Sequence, residues 1–119
     1  MTGQTPELSR NWIIPQKPDE IDVIFNQKDG IHVVYKHSYR CAVCSFSQSR
    51  VESVLDELAD KANFYFVDVI QNRPVSDRIA QLSGIRHASP QLIIIRVGKV
   101  VKNASHGEIT AELIREEVR

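Results

Sequence analysis

The chain predicts an α/β fold: a central mixed β-sheet flanked by helices, with a short strand and helix added at its N-terminal end. Three features carry the prediction. Apolar, β-branched runs alternate with stretches of helical period, which implies parallel strand pairs bridged by helices. Gly98-Lys99 lies between two apolar runs and signals a two-residue hairpin, which adds one antiparallel strand. Both cysteines, Cys41 and Cys44, fall where an early apolar run gives way to a helical one.

Taken in order, residues 1 to 10 are polar, lack a period and read as a frayed end. Trp12, Ile13 and Ile14 form a short apolar patch before Pro15 and Pro18, suited to an edge strand or a plug over the core. Asp19 to Lys28 places Ile21, Ile24 and Phe25 at helical spacing, with acids in the first turn and a stop at Asp29-Gly30. Ile31 to Tyr35 reads as a buried strand. The polar turn Lys36-His37-Ser38-Tyr39-Arg40 follows, and a helix runs from about Val43 to Lys61, with Val51, Val54, Leu55 and Leu58 on its inner face. Phe64 to Val69 is a second strand. Pro74 opens a helix that carries Ile79 and Leu82 inward and ends at Gly84. Ser89-Pro90 leads into a strand from Gln91 to Val97. Gly98 in the first position of a type II′ turn returns the chain through Val100 to about Ser105, and Ile109, Leu113 and Ile114 lie on an amphipathic final helix.

At 119 residues and 13.5 kDa, the chain reads as one domain over 1–119, large enough to bury a core without a disulfide scaffold or structural metal. Fifteen Lys plus Arg balance fifteen Asp plus Glu, so nothing favours a nucleic-acid backbone as partner. The apolar run Leu92 to Ile95 falls far short of the roughly 20 residues that a membrane span needs. The first residues lack the basic and apolar regions of an export signal, which points to the cytoplasm. Two cysteines in such a chain are more often reactive or buried than joined in a permanent bridge.

A thiol at a helix start feels unpaired N–H groups and the positive end of the helix dipole, which favour the thiolate. Arg40, Lys36 and His37 add positive charge from the preceding turn. Cys41 is therefore the candidate nucleophile for thiol–disulfide chemistry. Cys44, about one helical turn on, is either a second redox thiol or a compact buried residue. A zinc site built from both cysteines and two of His32, His37, His87 and His106 lacks a second pair at metal-like spacing, and no bound metal or cofactor is expected. His37 either supports the thiolate or is a partly exposed loop residue, whereas His32, His87 and His106 suit structural hydrogen bonds. The element order, with a cysteine turn after an early strand and a proline just before the hairpin, is the thioredoxin-like arrangement. In that arrangement a cis-proline at Pro90 would face the cysteine, and Ser89 would offer backbone groups to a substrate chain.

The motifs go further than the fold. Tyr35-Lys36-His37-Ser38-x-x-Cys41, Gly84-Ile85-x-His87-x-Ser89-Pro90-Gln91, Gly98-Lys99 and Ser105-His106-x-x-Ile109-Thr110 together resemble the YtxJ-like bacilliredoxin family, from about Trp12 to Leu113. The resemblance implies a thiol–disulfide oxidoreductase with bacillithiol as co-substrate, which removes bacillithiol from protein mixed disulfides through Cys41. Its partners would be bacillithiolated or otherwise oxidised proteins and a low-molecular-weight thiol. Cys44 would be the resolving thiol and Ser89-Pro90 the substrate ledge, with His37 and Arg40 holding the thiolate or the malate carboxylates of bacillithiol. Ala42 stands where the family usually has proline, and Cys44 where it commonly has serine, so an internal disulfide becomes an alternative to clearance by a second thiol. Two other readings stay open: a general dithiol reductase using Cys41 and Cys44, and a non-catalytic thioredoxin-fold module that binds a protein partner under stress.

Overall fold

The computed structural model describes residues 9–40 and 42–118, with Val43 described by its backbone alone. Ten elements follow in order: β1 (Trp12–Ile13), α1 (Pro18–Asn26), β2 (Ile31–His37), α2 (Ala42–Leu58), β3 (Asn63–Asp68), α3 (Arg73–Ser83), β4 (Gln91–Arg96), β5 (Lys99–Ser105), a 3₁₀ turn (His106–Glu108) and α4 (Ala111–Val118). The five strands form one sheet in the order β1-β3-β2-β4-β5. β1 and β2 run parallel to β3, whereas β4 is antiparallel to both β2 and β5. This is a thioredoxin-like α/β architecture with a mixed sheet.

Alternation along the central strands sends side chains to two cores. Val33, Tyr35, Phe64, Phe66, Leu92 and Ile94 meet α2 and α4 through Val51, Val54, Leu55, Leu58, Ile114 and Val118. On the other face Val34, Val67, Ile93 and Ile95 meet α1 and α3 through Ile21, Ile24, Val75 and Ile79. A strand covered on both sides has no polar face, which is why β2 is apolar from Val33 to Tyr35 and β4 from Leu92 to Ile95.

Trp12 is both edge strand and plug. It pairs with Phe64, stacks on Tyr35 at 5.8 Å and donates its Nε1–H to Glu52 Oε2 at 2.6 Å. Ser9 is anchored rather than frayed, since its hydroxyl bonds Asp56 at 3.2 Å and its carbonyl accepts Trp12 N–H at 3.2 Å. Residues 1–8 lie outside the described residues.

Several boundaries differ from the sequence reading by a residue or two, Ile109 precedes the final helix and does not lie on it, and three differences have an evident cause. β2 continues through Lys36 and His37, because both are laddered to β3 as Lys36↔Val67 and His37↔Asp68. α2 ends at Leu58, whose carbonyl takes the N–H groups of Lys61 and Ala62 and closes the helix. The hairpin turn is Val97-Gly98, one residue earlier than expected, because Arg96 pairs with Lys99. Its φ values of 55° and 72° are both positive, which makes it type I′ rather than type II′. A β-branched residue is unfavourable in that region, and Val97 occupies it so that Gly98 can lie against α1.

Candidate active site

The cysteine turn leaves the C-terminal end of β2. Ser38, Tyr39 and Arg40 carry the chain to position 41, and α2 begins at Ala42. Cys41 lies outside the described residues. Cys44, in the first turn of α2, is fully buried. Tyr35 fastens this turn to the sheet, its hydroxyl donating to the Cys44 carbonyl at 2.9 Å. The same hydroxyl is 3.0 Å from His37 Nδ1. A phenol has one proton to donate and a carbonyl can only accept, so His37 must supply the proton for the second contact. The arrangement assigns the Nδ1–H tautomer to His37 and leaves Nε2 with the lone pair.

His37 is 1% exposed, so it is the buried end of a strand and not a loop residue. Burial lowers its pKa, against the pull of Asp68 and Glu52, and so favours the neutral ring. Tyr39 stands edge-on to it at 4.4 Å between ring centroids and is about half exposed. Arg40 is exposed, and its backbone N–H closes the turn on Ser38 Oγ at 3.3 Å.

Lys36 does not add charge to the cysteine turn. Strand parity places it on the opposite face of the sheet from Tyr35 and His37, where it is fully buried. Its Nζ donates to the Ser76 carbonyl at 3.1 Å and approaches His87 Nδ1 at 3.3 Å. Burial brings its pKa down to about 8, with Asp77 opposing. One buried ammonium thus ties β2 to the first turn of α3 and to the segment that follows Gly84. Gln91 adds a second tie, donating from Nε2 to the Arg86 carbonyl at 2.9 Å.

Those ties hold the segment that ends at Ser89-Pro90, whose peptide bond is cis. The pairing Lys36↔Gln91 puts Pro90 one step beyond the last rung of the β2–β4 ladder, at the end of the sheet from which the cysteine turn leaves. Pro90 is buried, and its carbonyl accepts His106 N–H at 3.2 Å. Among the described residues no main-chain group pairs with the backbone of Ser89. The fold therefore brings Cys44, His37, Arg40, Ser89 and Pro90 to one end of the sheet. The anchoring by Lys36 and Gln91 escaped the sequence reading, although a lysine inside an apolar strand run was its visible signal. Among the described residues no three His, Cys, Asp or Glu side chains are grouped to hold a metal.

A family model described as monothiol bacilliredoxin BrxC matches residues 15–114. The chain belongs to this family. Solved structures agree on the fold. A protein provisionally described as an oxidoreductase with a thioredoxin fold is 26% identical, with a TM-score of 0.76 over 87% of this chain and 90% of its own. Thioredoxin from Fasciola hepatica is 23% identical, with a TM-score of 0.68 over 88% and 94% of the two chains. Thioredoxin O2 from Arabidopsis thaliana, in its oxidised state, is 14% identical, with a TM-score of 0.72 over 92% and 96%. Membership of a bacilliredoxin family, on a thioredoxin fold, supports thiol–disulfide redox chemistry for this chain. No helix among the described residues is long and apolar enough to cross a membrane.

Proposed function

We propose that this bacilliredoxin removes bacillithiol from protein mixed disulfides through Cys41. The observation that carries the reading is the family match over residues 15–114. The Cys41 thiolate attacks the bacillithiol sulfur, the mixed disulfide breaks, and the protein thiolate leaves and takes up a proton. Cys41 then carries bacillithiol. The backbone of Ser89, which has no main-chain partner among the described residues, supports this reading, because an incoming chain can add its own N–H and C=O groups there. Arg40, exposed and next to Cys41 in the sequence, is the basic group that would meet the malate carboxylates. His37, buried and favoured neutral, acts from beneath by holding Tyr35 and, through it, the start of α2.

Cys44 favours a second route for clearing Cys41. In the first turn of α2 it is sealed from bulk thiols, so its partner in exchange would be a sulfur held at the helix start. Its thiolate would attack Cys41 sulfur, form the Cys41–Cys44 disulfide and release bacillithiol, which takes up a proton. Incubation with a bacillithiolated protein, followed by intact-mass analysis, tests both steps. Wild type should strip the substrate, and Cys44→Ser should accumulate bacillithiol on Cys41. Full retention on the substrate would refute the proposal, and a stalled Cys44→Ser–substrate mixed disulfide would favour a general dithiol reductase.

A further inference from the structure

A cleft of about 460 Å³ opens beside the cysteine turn, lined by Tyr39, Phe66, Asp68, Gln71 and Asn72 with Ile14 and Gln16 at its rim. Its volume is that of a small-ligand site. Among the described residues that line it, the carboxylate of Asp68 is the only charged group, and none is a lysine, arginine or histidine. Asp68 Oδ1 already accepts the N–H groups of Ile70 and Gln71, each at 3.0 Å, so Oδ2 remains for a ligand. Asn72 spends its Nδ2 on the Pro15 carbonyl at 2.9 Å, which leaves its own carbonyl oxygen as an acceptor. The exposed Tyr39 ring supplies an aromatic face, and burial together with Asp68 and Glu52 raises its pKa, so the phenol is neutral. A carboxylate, an amide oxygen and an aromatic face suit a compact cation with several N–H donors and repel a carboxylate.

We infer that this cleft is a subsite for the ammonium group of the small thiol exchanged at Cys41, and that it selects cysteine-derived thiols whose amine is unmodified. The inference rests on the exchange reading above and deepens it. Tyr39 is two residues before Cys41 in the chain, and a cysteinyl amine lies two carbons from its sulfur. A thiol joined to Cys41 would therefore carry its ammonium close to this turn. Acidic and basic ends of the thiol would then be sorted, the ammonium to Asp68 and the carboxylates to Arg40 on the exposed turn.

Two mixed disulfides of one peptide, with cysteamine and with 2-mercaptoethanol, differ only in carrying an ammonium or a hydroxyl at the same place. The ratio of their kcat/KM values reads the subsite. Wild type should favour the cysteamine conjugate by about 3–10-fold more than a free small thiolate does at low ionic strength, falling with salt. Asp68→Asn keeps an oxygen for the Ile70 and Gln71 N–H groups and should bring the ratio down to that of a free small thiolate reacting with the same two conjugates; Tyr39→Leu should lower it partway. A wild-type ratio no higher than that of the free thiolate, or one unchanged by Asp68→Asn, overturns the inference. Binding is read separately with 2-(methylthio)ethylamine, which cannot exchange. It should shift the amide resonances of Asp68 to Asn72 in wild type and not in Asp68→Asn, and absence of those shifts overturns the subsite whether or not turnover occurs. Shifts without turnover of either conjugate refute the exchange reading alone.

Discussion

Tyr35 and Lys36 are neighbours in sequence that serve opposite faces of the sheet. Tyr35→Phe removes one proton donor, takes the cross-element bond from the Cys44 carbonyl and leaves the buried His37 Nδ1–H without its hydroxyl acceptor. The expected cost is about 1–3 kcal/mol of unfolding free energy in urea, with faster amide exchange in the first turn of α2. Lys36 makes a pH-dependent contribution. Its folded pKa of about 8 lies below the usual 10.5, so between those values the unfolded chain binds more protons. Stability should rise with pH across that window. Measurement between about pH 7.5 and 9.5 avoids Tyr39 and Tyr65, whose raised pKa values act in the opposite sense at higher pH. Lys36→Met should abolish the rise, since methionine fills the space without the charge; a slope unchanged in that variant would refute the assignment. The sequence exposed both residues, yet it put Lys36 in a polar turn. Whether a lysine after a strand run points outward or inward depends on how far the ladder continues, and that is set by β3 and β4.

The β4–β5 hairpin shows how an element can depend on its neighbour. Gly98 has φ +72°, and a Cβ there would come 2.5 Å from the Phe25 carbonyl oxygen of α1. Gly98→Ala should therefore destabilise by about 2–4 kcal/mol in thermal or urea melts, more than conformational preference alone requires. A loss under about 1 kcal/mol would mean that α1 yields easily to the turn. The glycine and the hairpin were legible, because only a short turn fits between two apolar runs. The turn position was not. Val97 reads as a strand residue by type, and what displaces it is the rung between Arg96 and Lys99 together with the close approach of α1.

Across the whole molecule, three histidines share one electrostatic condition. Burial lowers the pKa of His32 and of His37, and burial together with Lys36 and Arg73 lowers that of His87. Each ring is thus more readily protonated in the unfolded chain than in the fold. Stability should be complete above about pH 6.5 and fall as pH drops from there towards the folded values, buried His32 and His37 each contributing at most about 1.4 kcal/mol per pH unit and the exposed His87 less, because solvent screens it. Urea midpoints between pH 7.5 and 5 measure this. His87→Asn should flatten the slope by one histidine's share, and a midpoint independent of pH in wild type would refute the account. Protonated His87 would also place a second cation 3.3 Å from the Lys36 ammonium, so the segment before Pro90 is where acid loosening should begin. Hydrogen exchange at residues 84–88, compared with the core of β2, distinguishes this from uniform loss.

What the amino-acid order specified was local and chemical. Changes of hydrophobic period marked the strands and helices, Gly84 marked a helix end, and the Lys-His-Ser-x-x-Cys and His-x-Ser-Pro-Gln segments identified the family, because each of these is carried by residues close together in the chain. The assignment of side chains to faces came from long-range pairing. Lys36 became a buried clamp and His37 a neutral support because β3 and β4 hydrogen-bond past Tyr35 and fix the parity of every residue to His37. The acidic cleft beside Tyr39 likewise exists only where the cysteine turn, the end of β3 and the segment before α1 converge, and no spacing within one stretch of chain encodes that meeting.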